Sequence, residues 1–265
     1  MDQVSAKTTP DWTTDAIYEG RLVLRQSQKG YRFSVDAPLL TRFACLGKPA
    51  AHCVDLGAGC GVVGLGILAA GGARRLTSVE VQEGLASFCM FNARNNNLDG
   101  AFDLVASDMR SVDERLVAGS FDLVVSNPPF WPVQSSRLPD EEERRIACHE
   151  VMIDLDGLVE IAAKLLQPRR GRLCVVFPAR RLDDLLIALS RIGLGAVKLQ
   201  AVHPIPGEPA QVVLVEARHG RPGSLDLVAP IILKEADGTD SGDAVEMLSG
   251  RFSDSLRARK DRRTA

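Results

Sequence analysis

The chain has 265 residues, 45% of them hydrophobic and 25% charged, with a net charge of −2. That suffices to bury one sizeable core as a single domain with extensions, and it gives no global field toward a polyanion. There is no run of eighteen apolar residues, Met1 to Lys7 does not read as a signal peptide, and the six cysteines at 45, 53, 60, 89, 148 and 174 lack paired CxxC spacing, so a membrane span, a disulfide framework and a metal site are all set aside in favour of a cytoplasmic protein with reduced, mostly structural thiols.

In chain order, the first informative segment is Gln26 to Leu40 (QSQKGYRFSVDAPLL). Phe33, Val35, Leu39 and Leu40 within it suit the core face of a short helix. Next, Cys53 to Gly64 (CVDLGAGCGVVG) runs from an apolar strand through glycines into an apolar helix from Val62 to about Ala70. This is the pattern of a strand, a nucleotide loop and a helix. Gly57, Gly59 and Gly61 let the backbone approach a ligand, and the helix N-terminus offers N–H groups and a positive dipole end.

Gly59-x-Gly61-x-x-Gly64 also matches the dinucleotide fingerprint, so a nicotinamide or flavin enzyme competes with other nucleoside ligands. Asp55 tips the balance: a carboxylate in that loop suits the ammonium of an amino-acid moiety and repels a pyrophosphate. S-adenosylmethionine carries such an ammonium. At the end of the next apolar run, Leu76 to Val81, Glu80 sits where an acid holds two ribose hydroxyls, a feature both cofactors share. Asp108, with Met109, follows the short strand Asp103 to Ala106 and either docks an adenine or caps a solvated helix.

Asn127-Pro128-Pro129-Phe130 ends the strand that finishes at Val125 and Ser126. The Asn127 side-chain oxygen and the Pro128 carbonyl can accept the two hydrogens of a planar amine, and Phe130 can stack on the ring that bears it. Accepting both draws the nitrogen lone pair toward an electrophile without a strong base. Beyond it, Leu155 to Leu166 reads as an amphipathic helix, Leu173 to Phe177 as a buried strand and Leu182 to Ile192 as another helix. Ala196 to Val202 and Gln211 to Glu216 read as a closing hairpin. Such alternation makes a parallel sheet covered on both faces. After Gly220 the chain reads as loop-like, ending in the basic run Arg257 to Arg263.

With these residues in place, the chain resembles the class I (Rossmann-like) S-adenosylmethionine-dependent methyltransferases that act on amino groups, over roughly residues 50 to 220. Gln26 to Leu40, the run Arg144 to Glu150 (RRIACHE) and Val213 to Gly220 narrow this to the bacterial tRNA1(Val) adenine-N6 methyltransferase family, with Cys148 standing where many members have arginine. The resemblance implies an α/β, mainly parallel seven-stranded sheet with helices on both faces and a closing antiparallel hairpin. It implies a methyltransferase domain at 50–220, an N-terminal extension at 1–49 and a C-terminal extension at 221–265. Asp55, Gly57, Gly59 and Gly61 would line the methionine end of S-adenosylmethionine, Glu80 would bind its ribose and Asp108 its adenine. Asn127, Pro128, Pro129 and Phe130 would hold the target amine, with Phe33 to Asp36 as a partial lid.

The partner implied by the resemblance is RNA of the tRNA class, with no membrane and no metal, and the sequence does not speak to oligomeric state. With so little net charge, RNA contact has to come from local patches: Lys29 with Arg32, Arg144 with Arg145, Arg169 with Arg170, Arg180 with Arg181, and the tail. Trp12, Tyr31 and Trp131 are candidate stacking platforms, Trp131 foremost. Two alternatives stay open. One keeps the cofactor and methylates a protein glutamine amide or guanine N2 of ribosomal RNA; the other is a non-enzyme or a dinucleotide enzyme.

Overall fold

The computed structural model describes residues 11–28, 32–128, 155–220, 223–250 and 252. β1 (Trp12–Ile17) and β2 (Leu22–Ser27) form an antiparallel hairpin of their own. The main sheet contains β3 (Ala50–Leu56), β4 (Ala73–Glu80), β5 (Phe102–Ala106), β6 (Leu123–Ser126), β7 (Arg172–Pro178), β8 (Leu194–His203), β9 (Val212–His219) and β10 (Asp226–Ile232), in the order β10-β8-β9-β7-β6-β3-β4-β5. Only β9 runs against its neighbours, pairing antiparallel with both β7 and β8. The expected parallel sheet with a closing hairpin is therefore present.

Period-two alternation divides each central strand between two cores. Cys53, Leu123, Val125, Cys174, Val176 and Leu214 face one cluster. Val54, Val124, Leu173, Val175, Val213 and Val215 face the other. The first core is covered by α1 (Asp36–Cys45), α2 (Val62–Ala69), α3 (Glu83–Asn95) and α6 (Gly242–Ser249), the second by α4 (Leu155–Leu165) and α5 (Leu182–Arg191). α4 turns Leu158, Val159, Ala162 and Leu165 inward at helical spacing, and α5 does so with Leu185, Ala188 and Leu189.

Two elements depart from the sequence reading. The stretch after Gly220, read as loop-like, contributes β10, which adds an eighth strand parallel to β8. Its alternation is obscured because it is an edge strand with exposed Leu227 and with Pro230 inside it, a residue edge strands tolerate. The hairpin β1–β2 also went unforeseen. It is clamped onto α3: Asn96 Oδ1 accepts from Val23 N (2.9 Å) and Nδ2 donates to Val23 O (2.8 Å), while Asn92 Oδ1 accepts from Arg25 N (2.7 Å) and Nδ2 donates to Arg25 O (2.9 Å). Asparagines one helical turn apart thus pair with residues two apart along β2, replacing a neighbouring strand. The Arg25 guanidinium lies between the Trp12 and Phe91 rings, 3.9 and 3.7 Å from their centroids.

Candidate active site

A parallel sheet leaves a crevice outside the carboxyl ends of its strands, and several of the expected residues line it. Phe33, Asp55, Gly57, Gly59 and Asn127 line one cleft, joined by Leu85 from the first turn of α3. Gly57, Glu80, Asp108 and Met109 line a second, which shares Gly57 with the first. Gly61 lines neither. At φ 89° it is the residue before α2, and a Cβ there would lie 2.7 Å from Cys89 Sγ. Gly59, at φ 57°, has no atom of the described residues within 4 Å of that position, so a side chain would enter the open cleft. Gly61 shapes the loop and Gly59 leaves room for a ligand.

The loop is braced by the two acids. Glu80 Oε2 accepts from Gly59 N and Oε1 from Gln82 N, both at 2.8 Å. Asp55 Oδ2 accepts from Gly64 N at 2.9 Å, the α2 N–H that meets the carboxylate at the positive end of the helix. A Cβ on Gly64 would lie 2.9 Å from the same oxygen, which is why the helix approaches only through glycine. Burial pushes the Asp55 carboxyl up to about 7, against the Gly64 N–H that lowers it and with the nearby Glu80 charge adding to the rise. Burial likewise raises Glu80, offset by the Gln82 and Gly59 amides.

Asp108 caps the turn that follows it and stands at the second cleft. Its Oδ1 accepts from Arg110 N at 2.8 Å at the start of a 3₁₀ turn. Its carboxylate also pairs with the Arg110 guanidinium, which holds it below its ordinary pKa. The reading of Phe33, Val35, Leu39 and Leu40 as one core face divides: Leu39 and Leu40 are buried core of α1, Val35 is exposed at its cap, and Phe33 is half-buried against that core and lines the first cleft.

Asn127 reaches the first cleft from the end of β6, which pairs with β3 through Asp55 and Val125. Ser126 Oγ donates to Leu56 O at 2.8 Å and locks the two strand ends together. Pro129, Phe130, Trp131, Tyr31, Lys29, Arg144 to Glu150 and the tail lie outside the described residues. Of the remaining basic pairs, Arg169 and Arg170 precede β7 at the sheet edge opposite the clefts, whereas Arg180 and Arg181 follow β7 on the cleft side. Arg181 pairs with Asp184, and Arg32 with Asp15.

Sequence reasoning missed Leu85 and two polar residues behind the cleft. Asn92 Nδ2 donates to Cys60 O at 2.9 Å, tying the glycine loop to α3. Gln26, 2% exposed, accepts from Phe33 N. A polar residue on the inner face of an amphipathic helix is a signal for the first; nothing local marks the second.

Fold and cleft together define a class I, Rossmann-like methyltransferase. A family model, methyltransferase small domain, matches residues 38–146. The tRNA1(Val) (adenine(37)-N6)-methyltransferase of Porphyromonas gingivalis is 29% identical over 210 residues, 77% of this chain and 81% of that protein. The protein of the same name from Phocaeicola vulgatus is 30% identical over 167 residues, 62% of this chain and 68% of its own. Among solved structures, Agrobacterium tumefaciens Atu636, named as a predicted O-methyltransferase, superposes with a TM-score of 0.62 at 21% identity, covering 82% of this chain and 96% of that one. M. jannaschii TYW2 in complex with AdoMet gives 0.54 at 12% identity, covering 80% and 88%. This chain belongs to the tRNA1(Val) (adenine(37)-N6)-methyltransferase family.

Proposed function

We propose that this protein transfers the methyl group of S-adenosylmethionine to N6 of an adenine in tRNA, beside the anticodon. The observation that carries the reading is the meeting of Asp55 and Asn127 in one cleft at the ends of adjacent strands, an ammonium-binding group beside an amine acceptor pair. The names of the relatives point to the same substrate.

The residues fit the cofactor. A buried carboxylate without a cationic partner among the described residues faces the space left open by Gly59, and a second acid sits one strand along. Asp55 would take the ammonium, Gly57 and Gly59 the methionine backbone, Glu80 the ribose hydroxyls through the lone pairs its amide bonds leave free, and Asp108 the adenine amine. When bound, S-adenosylmethionine supplies a methyl group on an electrophilic sulfonium. Asn127 Oδ1 accepts one N6 hydrogen of the target and the Pro128 carbonyl the other, which turns the nitrogen lone pair out of the ring toward the cleft. Phe130 stacks the base and Phe33 keeps water from the cleft wall. After transfer the excess proton on N6 is lost to solvent. RNA is held by the cleft-side basic residues and the tail, and the enzyme works in the cytoplasm, where its substrate is.

The test is incubation with methyl-labelled S-adenosylmethionine and unmodified tRNA, followed by nucleoside analysis. Label in N6-methyladenosine supports the reading, and a tRNA pool that stays unlabelled under saturating cofactor contradicts it.

A further inference from the structure

We infer that Gln26 is a positioning residue for the cofactor cleft: through its side-chain amide, the N-terminal hairpin sets Phe33 in the cleft wall. The inference rests on the cofactor reading above. Gln26 lies on β2, outside the methyltransferase sheet, and is 2% exposed. Its Oε1 accepts from Phe33 N at 3.1 Å and its Nε2 donates to Asp15 Oδ2 at 2.7 Å. The orientation of the amide is dictated by its partners, because a backbone N–H only donates and a carboxylate only accepts.

Asp15, diagonal to Gln26 on β1, is fixed in turn by Arg32 Nη2 at 3.1 Å, and Arg32 Nη1 donates to Thr13 Oγ1, the residue opposite Gln26, at 2.6 Å. Arg32 directly precedes Phe33, so the chain leaving the hairpin is held at two consecutive residues, one by its side chain and the next by its backbone. The hairpin itself cannot drift, since Asn92 and Asn96 grip β2 and Asn92 also holds the Cys60 carbonyl of the glycine loop. Phe33 and the loop opposite it are thereby referred to the same α3 frame. The cleft needs such a device because Phe33 lies just before α1 and outside any helix or strand, where its backbone N–H has no partner from regular structure.

The experiment is calorimetric titration of S-adenosylmethionine into wild type, Gln26→Leu, Phe33→Ala, the double variant, Asp15→Ala and Asp15→Asn. Wild type that binds no S-adenosylmethionine overturns the cofactor reading. Given binding, Gln26→Leu should weaken affinity about tenfold, the scale set by an orphaned buried N–H, with kcat at saturating cofactor and KM for tRNA within about twofold. The double variant should bind like Phe33→Ala alone, since Gln26 acts only through Phe33. Asp15→Asn keeps an acceptor for Nε2 and should restore the binding that Asp15→Ala removes. Equal affinity in wild type and Gln26→Leu, additive losses in the double variant, or Asp15→Ala indistinguishable from wild type overturns the inference. The two Asp15 variants, made at a more exposed site, decide the question should Gln26→Leu fail to fold.

Discussion

Replacing Asp55 by Asn tests the cofactor site in two independent ways. Burial lifts this carboxyl from 3.8 to about 7, a rise equivalent to about 4 kcal/mol against the charged form at high pH. A raised acid contributes stability that is full below its unfolded value and is lost as pH rises through its folded value. Without cofactor, wild type should therefore lose stability between about pH 4 and pH 7, and Asp55→Asn, fixed in the neutral form, should melt several degrees higher than wild type at pH 7.5.

Binding runs in the opposite direction. The ammonium of S-adenosylmethionine needs the ionised carboxylate, whose share grows as pH climbs from 6 to 7.5 through the Asp55 value of about 7. Affinity should rise several-fold across that window, below the α-amino pKa of about 8. Asp55→Asn should bind about 10- to 100-fold more weakly at pH 7.5, the scale of a charge-assisted hydrogen bond, and lose this pH dependence. The assay is calorimetry at pH 6.0 and 7.5 in two buffers of different ionisation enthalpy, which also counts the roughly half proton released at pH 7. Wild-type affinity that is flat with pH, or Asp55→Asn binding within twofold of wild type, refutes the ammonium assignment.

Asn127→Ala should cut methyl transfer at least about a hundredfold while cofactor affinity stays within about threefold, because the side chain acts on the acceptor amine; equal loss of cofactor binding in titrations would contradict that role. Gly61→Ala forces a Cβ to 2.7 Å from Cys89 Sγ at φ 89° and should cost about 1–3 kcal/mol in denaturant melts. Gly59→Ala, with open space at its Cβ, should lose less stability and more cofactor affinity, and the reverse ranking would mean the loop is misread. Deleting residues 255–265 should weaken tRNA binding and flatten its salt dependence by about one unit of slope for each phosphate the tail neutralises, whereas an unchanged slope makes the tail a bystander.

Features written in local sequence were readable. The β3 strand, glycine loop and α2 announce themselves because apolar runs and glycine spacing sit within twelve consecutive residues, and Glu80 follows from its strand end. What escaped is set by distant partners. β1 carries Thr13, Thr14 and Asp15 in succession, and its turn places Tyr18 and Glu19 at φ 55° and 57°, a conformation that glycine or asparagine would have signalled. β10 is an edge strand carrying Pro230, so composition speaks for a loop while pairing with β8 decides for a strand. Asn92 looks like an interruption of the α3 apolar face until β2 is seen against it. Gln26 has meaning only once Asp15 and Phe33 converge on its amide.

The most direct measurement presents the wild-type enzyme with methyl-labelled S-adenosylmethionine and tRNA, ribosomal RNA and cell protein side by side, then hydrolyses each acceptor and identifies the labelled unit. Label confined to N6-methyladenosine of tRNA is the predicted result. Label in protein glutamine or in N2-methylguanosine would contradict the adenine assignment while leaving the cofactor site in place.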